Sequence, residues 1–284
     1  MTTRAHWDIP VPSYAWFESR GGISSSGVAQ DMRKWVSLEF QRQLAAAHPW
    51  GDRLEGAFFR GHDWDSSNTF SEFLPELGPN SCVDPMDLST AFGYRRWYAQ
   101  LSQPGAALHE LLDVGLTGAP DFVKQQYPNQ TYEKPVSLPE HAKHKYLLHL
   151  DGTTASNRLI KLLTLGSVVL KQDSIHEEYF YRHLKPWVHY VPFSRDRCSA
   201  QNLSAAVNWL RAHDAEARAI AEAGQRAARE LLGTEATACY WQRLLSAYAA
   251  LQAFDPSGLS EKADFKPFRK GAGLKQDAEK KGWR

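Results

Sequence analysis

The stretch Lys145–Gln172, KYLLHLDGTTASNRLIKLLTLGSVVLKQ, constrains the fold more than any other part of this chain. Tyr146–Leu150 has the apolar character of a strand, and Asp151-Gly152 is a turn pair. The hydroxyls of Thr153, Thr154 and Ser156 suit the cap of a following helix, because their oxygens accept the free N–H groups of its first turn. Leu159, Ile160, Leu162 and Leu163 give that helix a buried side, and Gly166 closes it. Val168–Leu170 then forms a second apolar strand. Strand, turn, short helix and strand in this order imply a βαβ unit, and so an α/β fold with a parallel sheet.

The rest of the chain is read in the same way. Residues 29–47, AQDMRKWVSLEFQRQLAAA, place apolar side chains at helical spacing. EGAFFRG is a short strand that ends in an arginine and a glycine. GYRRWYAQLSQPGAALHELLDVG predicts helices at Tyr94–Leu101 and Ala106–Val114, and residues 115–140 read as an irregular connection. Three helices are expected near 201–213, 214–232 and 235–254, the middle one running from a capping aspartate to a stop at Gly233. IPVPSYAWF reads as one extended segment, and the tail from Ser260 is charged with little to bury.

Several classes are excluded at this level. A net charge of +1 provides no overall field for nucleic acid or a membrane surface. No apolar run approaches the ~18 residues of a membrane span, and the N-terminus lacks the apolar core of a signal peptide. Cys82, Cys198 and Cys239 are widely spaced and form no CxxC pair, so they read as free thiols rather than zinc ligands. GxGxxG and GxxxxGK[ST] are both absent.

The candidate site is an anion pocket. N–H groups at the start of the 159–163 helix attract negative charge, and Arg158 and Lys161, three residues apart, fall on one helix face. A capped helix carrying two solvated cations competes with that reading. Arg60-Gly61 is a second candidate, since a glycine after an arginine lets the backbone approach a ligand. Ligands of open α/β sheets sit at the carboxyl ends of the strands, where Arg60, Ser156 and Arg158 all fall. Glu177-Glu178 is a third, either as acceptor for ribose hydroxyls or as the acidic first turn of a helix. Asp63-Trp64-Asp65 has the letters of a metal motif but lies in a loop, so no metal site is read there.

These motifs together resemble glycosyltransferase family 90, the capsule-associated and protein O-glucosyltransferase (Rumi-like) group. The similar pattern comprises the KYL strand, the Gly-x-x-x-Ser-x-Arg turn at 152–158, the GS strand, FRG at 59–61 and LKPWVHY at 184–190. DIPVPSYAWF and CYWQRLLSAY also fit, so the resemblance spans Trp7 to Leu251. It implies a GT-B-like architecture with a Rossmann-like nucleotide-binding domain, a UDP-sugar donor carrying glucose or xylose, and metal-independent transfer to a protein or glycan hydroxyl. By position it implies that Arg60, Ser156 and Arg158 contact the diphosphate, that Gly61 and Gly152 keep their turns open, and that Glu178 lies near the ribose. Trp187, His189 and Tyr190 fit the family block as structural residues or otherwise. It also implies the secretory lumen, endoplasmic reticulum or Golgi.

Family members carry their catalytic aspartate ahead of the IPVPSYAWF equivalent, and here nine residues precede Pro10. The catalytic residue of this chain is therefore unassigned. The expected organisation is an acceptor-side remnant at 1–50, a UDP-sugar-binding domain at 51–255 and a charged tail at 256–284. The alternative is a chain that binds nucleotide-sugar or a partner without transfer.

Overall fold

Five segments build the central sheet of the protein, four of them around a continuous apolar run of the kind that a strand buried on both faces requires. The structure, a computed structural model, describes residues 2–3, 9–12, 32–63, 94–152, 156–174, 176–193 and 199–252. Its strands are β1 (Leu54–Gly61), β2 (Leu112–Leu116), β3 (His144–His149), β4 (Val168–Gln172) and β5 (Val191–Phe193). All pair in parallel, in the order β2-β1-β3-β4-β5. The order reverses between β1 and β3, so the connections leave those two strands in opposite directions and open a crevice at their carboxyl ends. The sheet is of the Rossmann-like parallel kind.

Alternation along each strand sends side chains to two apolar layers. Phe59, Tyr146, Leu148 and Leu170 pack on one face against α3 (Tyr94–Leu101) and α6 (Ser199–Ala212). Phe58, Leu147 and Val169 pack on the other against α5 (Leu159–Leu163) and the later turns of α7 (Asp214–Leu232). Trp35 of α1 (Met32–Trp35) and Leu44 of α2 (Leu38–Ala47) join this second layer. A further short helix, α4 (Asp121–Gln126), follows β2, and α8 (Thr234–Ala250) is the last described helix. Burial of each such Leu, Val or Phe contributes ~1.5–3 kcal/mol, so the two layers hold the sheet rigid beneath the crevice.

Two expected elements are corrected. Residues 32–47 are two helices, not one: Ser37 Oγ accepts from the Phe40 N–H at 3.3 Å and donates to the Lys34 carbonyl at 2.8 Å, which caps a new helix mid-pattern. Ala106–Val114 is not helical. Gly105, at φ +82°, turns the chain, and the alternating Leu112, Val114 and Leu116 enter the sheet beside β1. Residues 115–140, expected to be irregular, contain the end of β2 and α4.

The chain divides into two compact units, Met1–Trp241 and Gln242–Arg284. Within the first, Tyr240 donates to the carbonyl of Pro10. Most of IPVPSYAWF, Cys82, Cys198, Asp65 and the tail lie outside the described residues, and Cys239 is an exposed free thiol. Among the described residues no helix is long and apolar enough to cross a membrane.

Candidate functional site

The carboxyl end of β1 delivers Arg60, Gly61, His62 and Asp63, and that of β3 delivers Leu150, Asp151 and Gly152. Arg158 bridges the two. Its Nη1 donates to the Arg60 carbonyl at 2.5 Å, and its guanidinium lies 5.3 Å from the centre of the Phe59 ring. A Cβ at Gly61 would sit 2.7 Å from the Phe59 ring and 3.1 Å from that Nη1, so only glycine admits this approach. Burial pushes the Arg158 guanidinium down to about 10, still charged at neutral pH.

A guanidinium that the sequence reading overlooked shares this position. Arg95, from the first turn of α3, is buried and also lies 5.3 Å from the Phe59 ring centre. Burial, and then the charge of Arg158, push it down to about 9. The neighbouring Arg96 instead grips Asp63 with Nε and Nη2, at 3.0 and 2.6 Å to Oδ2, and this pair is wholly buried. A metal role for Asp63 therefore competes with a guanidinium already in place. Among the described residues no cluster of three or more His, Cys, Asp or Glu side chains is arranged to hold a metal ion.

Arg60 faces elsewhere. Its guanidinium stacks 4.8 Å from the Phe58 ring, on the opposite face of β1 from Phe59, and pairs with Asp113 at 2.6 Å. Nη1 also donates to the carbonyls of Phe59 and Asp113. Gly115 makes room for this course across β2, since a Cβ there would lie 2.9 Å from Arg60 Nε. It is thus the backbone of Arg60, not its side chain, that meets Arg158.

The hydroxyl turn also differs from expectation. α5 has five residues, starts at Leu159 and has Arg158 as its N-cap residue, with no side-chain cap. Ser156 therefore does not cap it, and Thr153 and Thr154 lie outside the described residues. Asp151 Oδ1 accepts the Ser156 N–H at 3.1 Å across the turn. With so short a helix, positive charge in the crevice comes from guanidinium groups rather than from a helix end. Lys161, expected on one helix face with Arg158, either at the anion pocket or in solvent, is buried with its ammonium 6.0 Å from the Trp35 ring. It lies inside the helix, whereas Arg158 stands before it.

A buried polar cluster lies beside the turn. Ser174 Oγ donates to Asp151 Oδ2, and His149 Nε2 bonds the Ser156 carbonyl at 3.0 Å. Burial works to raise the Asp151 carboxyl, but the hydrogen bonds from Ser174 and the Ser156 N–H, with the Lys171 charge, hold it below the usual carboxylate range. Burial pushes His149 down to about 4, so its ring is neutral and its Nδ1 is a buried atom with no partner. Glu178 is buried, with Oε2 unpaired, and burial followed by the Asp151 charge raises its carboxyl to about 7. It is not in a helical first turn: it follows the two-residue ladder in which His176 and Glu177 pair with Thr3 and Thr2. Gln172, at the end of β4, is 1% exposed with both amide atoms unpaired. Gly152 is half-buried directly after Asp151. Unpaired buried polar atoms on three neighbouring segments are what a polar ligand site leaves in its free state.

The model of the family described as glycosyl transferase family 90 matches residues 1–267. The chain belongs to that family. Among family relatives, it is 40% identical over 207 residues to protein O-glucosyltransferase 3 of Mus musculus, covering 73% of this chain and 34% of that protein. It is 41% identical over 146 residues to protein O-glucosyltransferase 2 of Danio rerio, covering 51% of this chain and 29% of that protein. The chain thus spans about a third of the length of these two curated relatives. A crystal structure of Anabaena HepE in complex with UDP-glucose matches 78% of this family 90 chain and 56% of its own, with a TM-score of 0.41 and 14% identity.

The missed residues left a signal. Arg95 and Arg96 are adjacent in a helix whose other members are nearly all large and apolar, and a buried helix carries two arginines only where something binds them.

Proposed function

We propose that this chain is the donor-binding part of a UDP-sugar glycosyltransferase, carrying glucose or xylose to a protein or glycan hydroxyl. The observation that supports it most is a pair of guanidinium groups, Arg95 and Arg158, at the carboxyl ends of β1 and β3 with no carboxylate in ion-pair contact among the described residues. A pyrophosphate is the anion that family membership leads one to place there. As the sugar–oxygen bond breaks, charge grows on the departing diphosphate. Fixed donors in a water-poor crevice stabilise that charge without reorganising.

In this reading Arg158 contacts the pyrophosphate, and Gly61 and the Arg60 carbonyl hold it in place. Ser156 and Gly152 shape the wall, and Glu178 accepts a ribose hydroxyl. Guanidinium charge serves where other enzymes use a divalent ion, so transfer should survive chelation. Residues 51–255 carry the donor site. The secretory lumen is the proposed compartment, in keeping with relatives named protein O-glucosyltransferases.

The test is calorimetric titration of the chain with UDP and with uridine, followed by donor-hydrolysis and transfer assays in the presence of EDTA. Loss of charge-assisted hydrogen bonds costs ~1.5–3 kcal/mol, so Arg158→Ala should weaken UDP by roughly 10- to 150-fold and spare uridine. A wild-type chain that binds no UDP overturns the reading.

A further inference from the structure

Arg95 has a geometry that a lone structural arginine does not need. Its three nitrogens reach three separate carbonyls: Nε to Asp151 at 3.1 Å, Nη1 to His62 at 2.7 Å and Nη2 to Leu150 at 2.9 Å. Those carbonyls belong to the segments leaving β1 and β3, the two strands that flank the reversal of sheet order. One planar fork therefore fixes the spacing of the two crevice walls, which the single nitrogen of a lysine cannot do. Five N–H bonds are available and three are used, leaving one on each terminal nitrogen.

The charges around it do not balance. Arg95 and Arg158 flank the same Phe59 ring, each at 5.3 Å. The nearby carboxylates are occupied: Asp63 by Arg96, Asp151 by Ser156 and Ser174. Among the described residues, three guanidinium groups thus share two carboxylates. Two like charges in a poorly hydrated crevice repel one another, and an anion bound between them removes that penalty. Arg53 provides the contrast. It too bonds carbonyls, at His48 and Gly166, but these include the chain just past α5, where helix carbonyls are free and a cation is favourable, and no second guanidinium lies beside it.

We infer that Arg95 is a positioning residue of the diphosphate site, setting the distance between the β1 and β3 ends and adding a second positive charge beside Arg158. This rests on the donor-site reading above, and its test separates the two. UDP is titrated calorimetrically, and uridine by ligand-observed NMR, into wild type, Arg95→Lys, Arg95→Gln and Arg158→Ala. The expected loss for UDP is about tenfold in Arg95→Lys, which keeps charge but not the fork, and about 100-fold in Arg95→Gln. Uridine should change by less than about twofold in both, because it lacks the group on which the charge acts. Equal losses for UDP and uridine would mean a purely structural arginine and overturn the inference, as would wild-type UDP affinity in Arg95→Lys. Should Arg95→Gln fail to fold, Arg95→Lys decides. If wild type binds no UDP, the donor-site reading itself fails. If Arg158→Ala loses UDP while both Arg95 variants keep it, only the role of Arg95 is refuted.

Discussion

The two ends of the parallel sheet are built from similar residues, and only the carboxyl end sets two guanidinium groups against one ring among the described residues. At the amino end, Lys145 Nζ bonds Glu55 at 2.8 Å and Asp214 at 2.7 Å, and Trp50 Nε1 donates to both oxygens of Asp214. That network fastens β1, β3 and α7 together, while Arg53 and Arg211 beside it bond carbonyls and, for Arg53, the Ser167 hydroxyl. At the carboxyl end, among the described residues, Arg95 and Arg158 bond only carbonyls and lie against one Phe59 ring; buried unpaired polar atoms occur at both ends, on His144 and Tyr146 as on Glu178, Gln172 and His149. Two like charges against one ring cost folding free energy, and an anion bound between them offsets that cost. The amino end is a fastening, and the carboxyl end is the proposed site.

Substitutions at the two ends should therefore separate stability from binding. The largest expected effect is on binding at the carboxyl end: Arg158→Ala weakens UDP by about 100-fold while the denaturant midpoint changes little. Next comes Glu178→Gln. The Glu178 carboxyl is raised from 4.5 to about 7, so the folded chain holds a proton that the unfolded chain releases. That contribution to stability is complete below about pH 4.5 and is lost as pH rises through 7. Glu178→Gln should accordingly stabilise the chain by about 2 kcal/mol at pH 8 and by almost nothing at pH 5, as read by urea unfolding at both values.

At the amino end the pattern reverses. Lys145→Met should cost about 1–2 kcal/mol of stability, because it leaves Glu55 and Asp214 facing each other without their cation, yet UDP affinity should stay within about twofold of wild type. A tenfold loss of UDP binding in this variant would break the distinction between the ends. The smallest effect is expected from Asp113→Asn, which releases the Arg60 guanidinium from a partner that is 45% exposed. Stability should change by less than about 1 kcal/mol and UDP affinity by less than about threefold. A large gain in affinity would show that Arg60, once freed, reaches the ligand.

What could be read from the sequence follows the range of the interactions involved. β1, β3 and β4 announce themselves as apolar runs, and the last three helices begin and end within a few residues of their expected limits, although Asp214, expected as a cap, is the first residue of α7 behind an uncapped His213 and bonds Lys145 instead. Gly166, at φ +67°, closes α5 as expected. Ala106–Val114 misled because HELLDV suits a helix locally, and only pairing with β1 decides for a strand. The site was legible in outline, since a turn after one strand and FRG after another fall at the same edge of any parallel sheet. Its chemistry was not. The turn of Arg60 toward Asp113 and the fork of Arg95 across residues 62, 150 and 151 join positions far apart in the chain, and no local pattern encodes them.

The most direct measurement is a crystal structure of the chain with UDP bound. The pyrophosphate oxygens should lie ~3 Å from the Arg158 guanidinium, above the ends of β1 and β3, with Arg95 still bridging the carbonyls of His62, Leu150 and Asp151. UDP bound elsewhere, with Arg95 and Arg158 touching only protein carbonyls, would contradict the assignment of this crevice as the donor site.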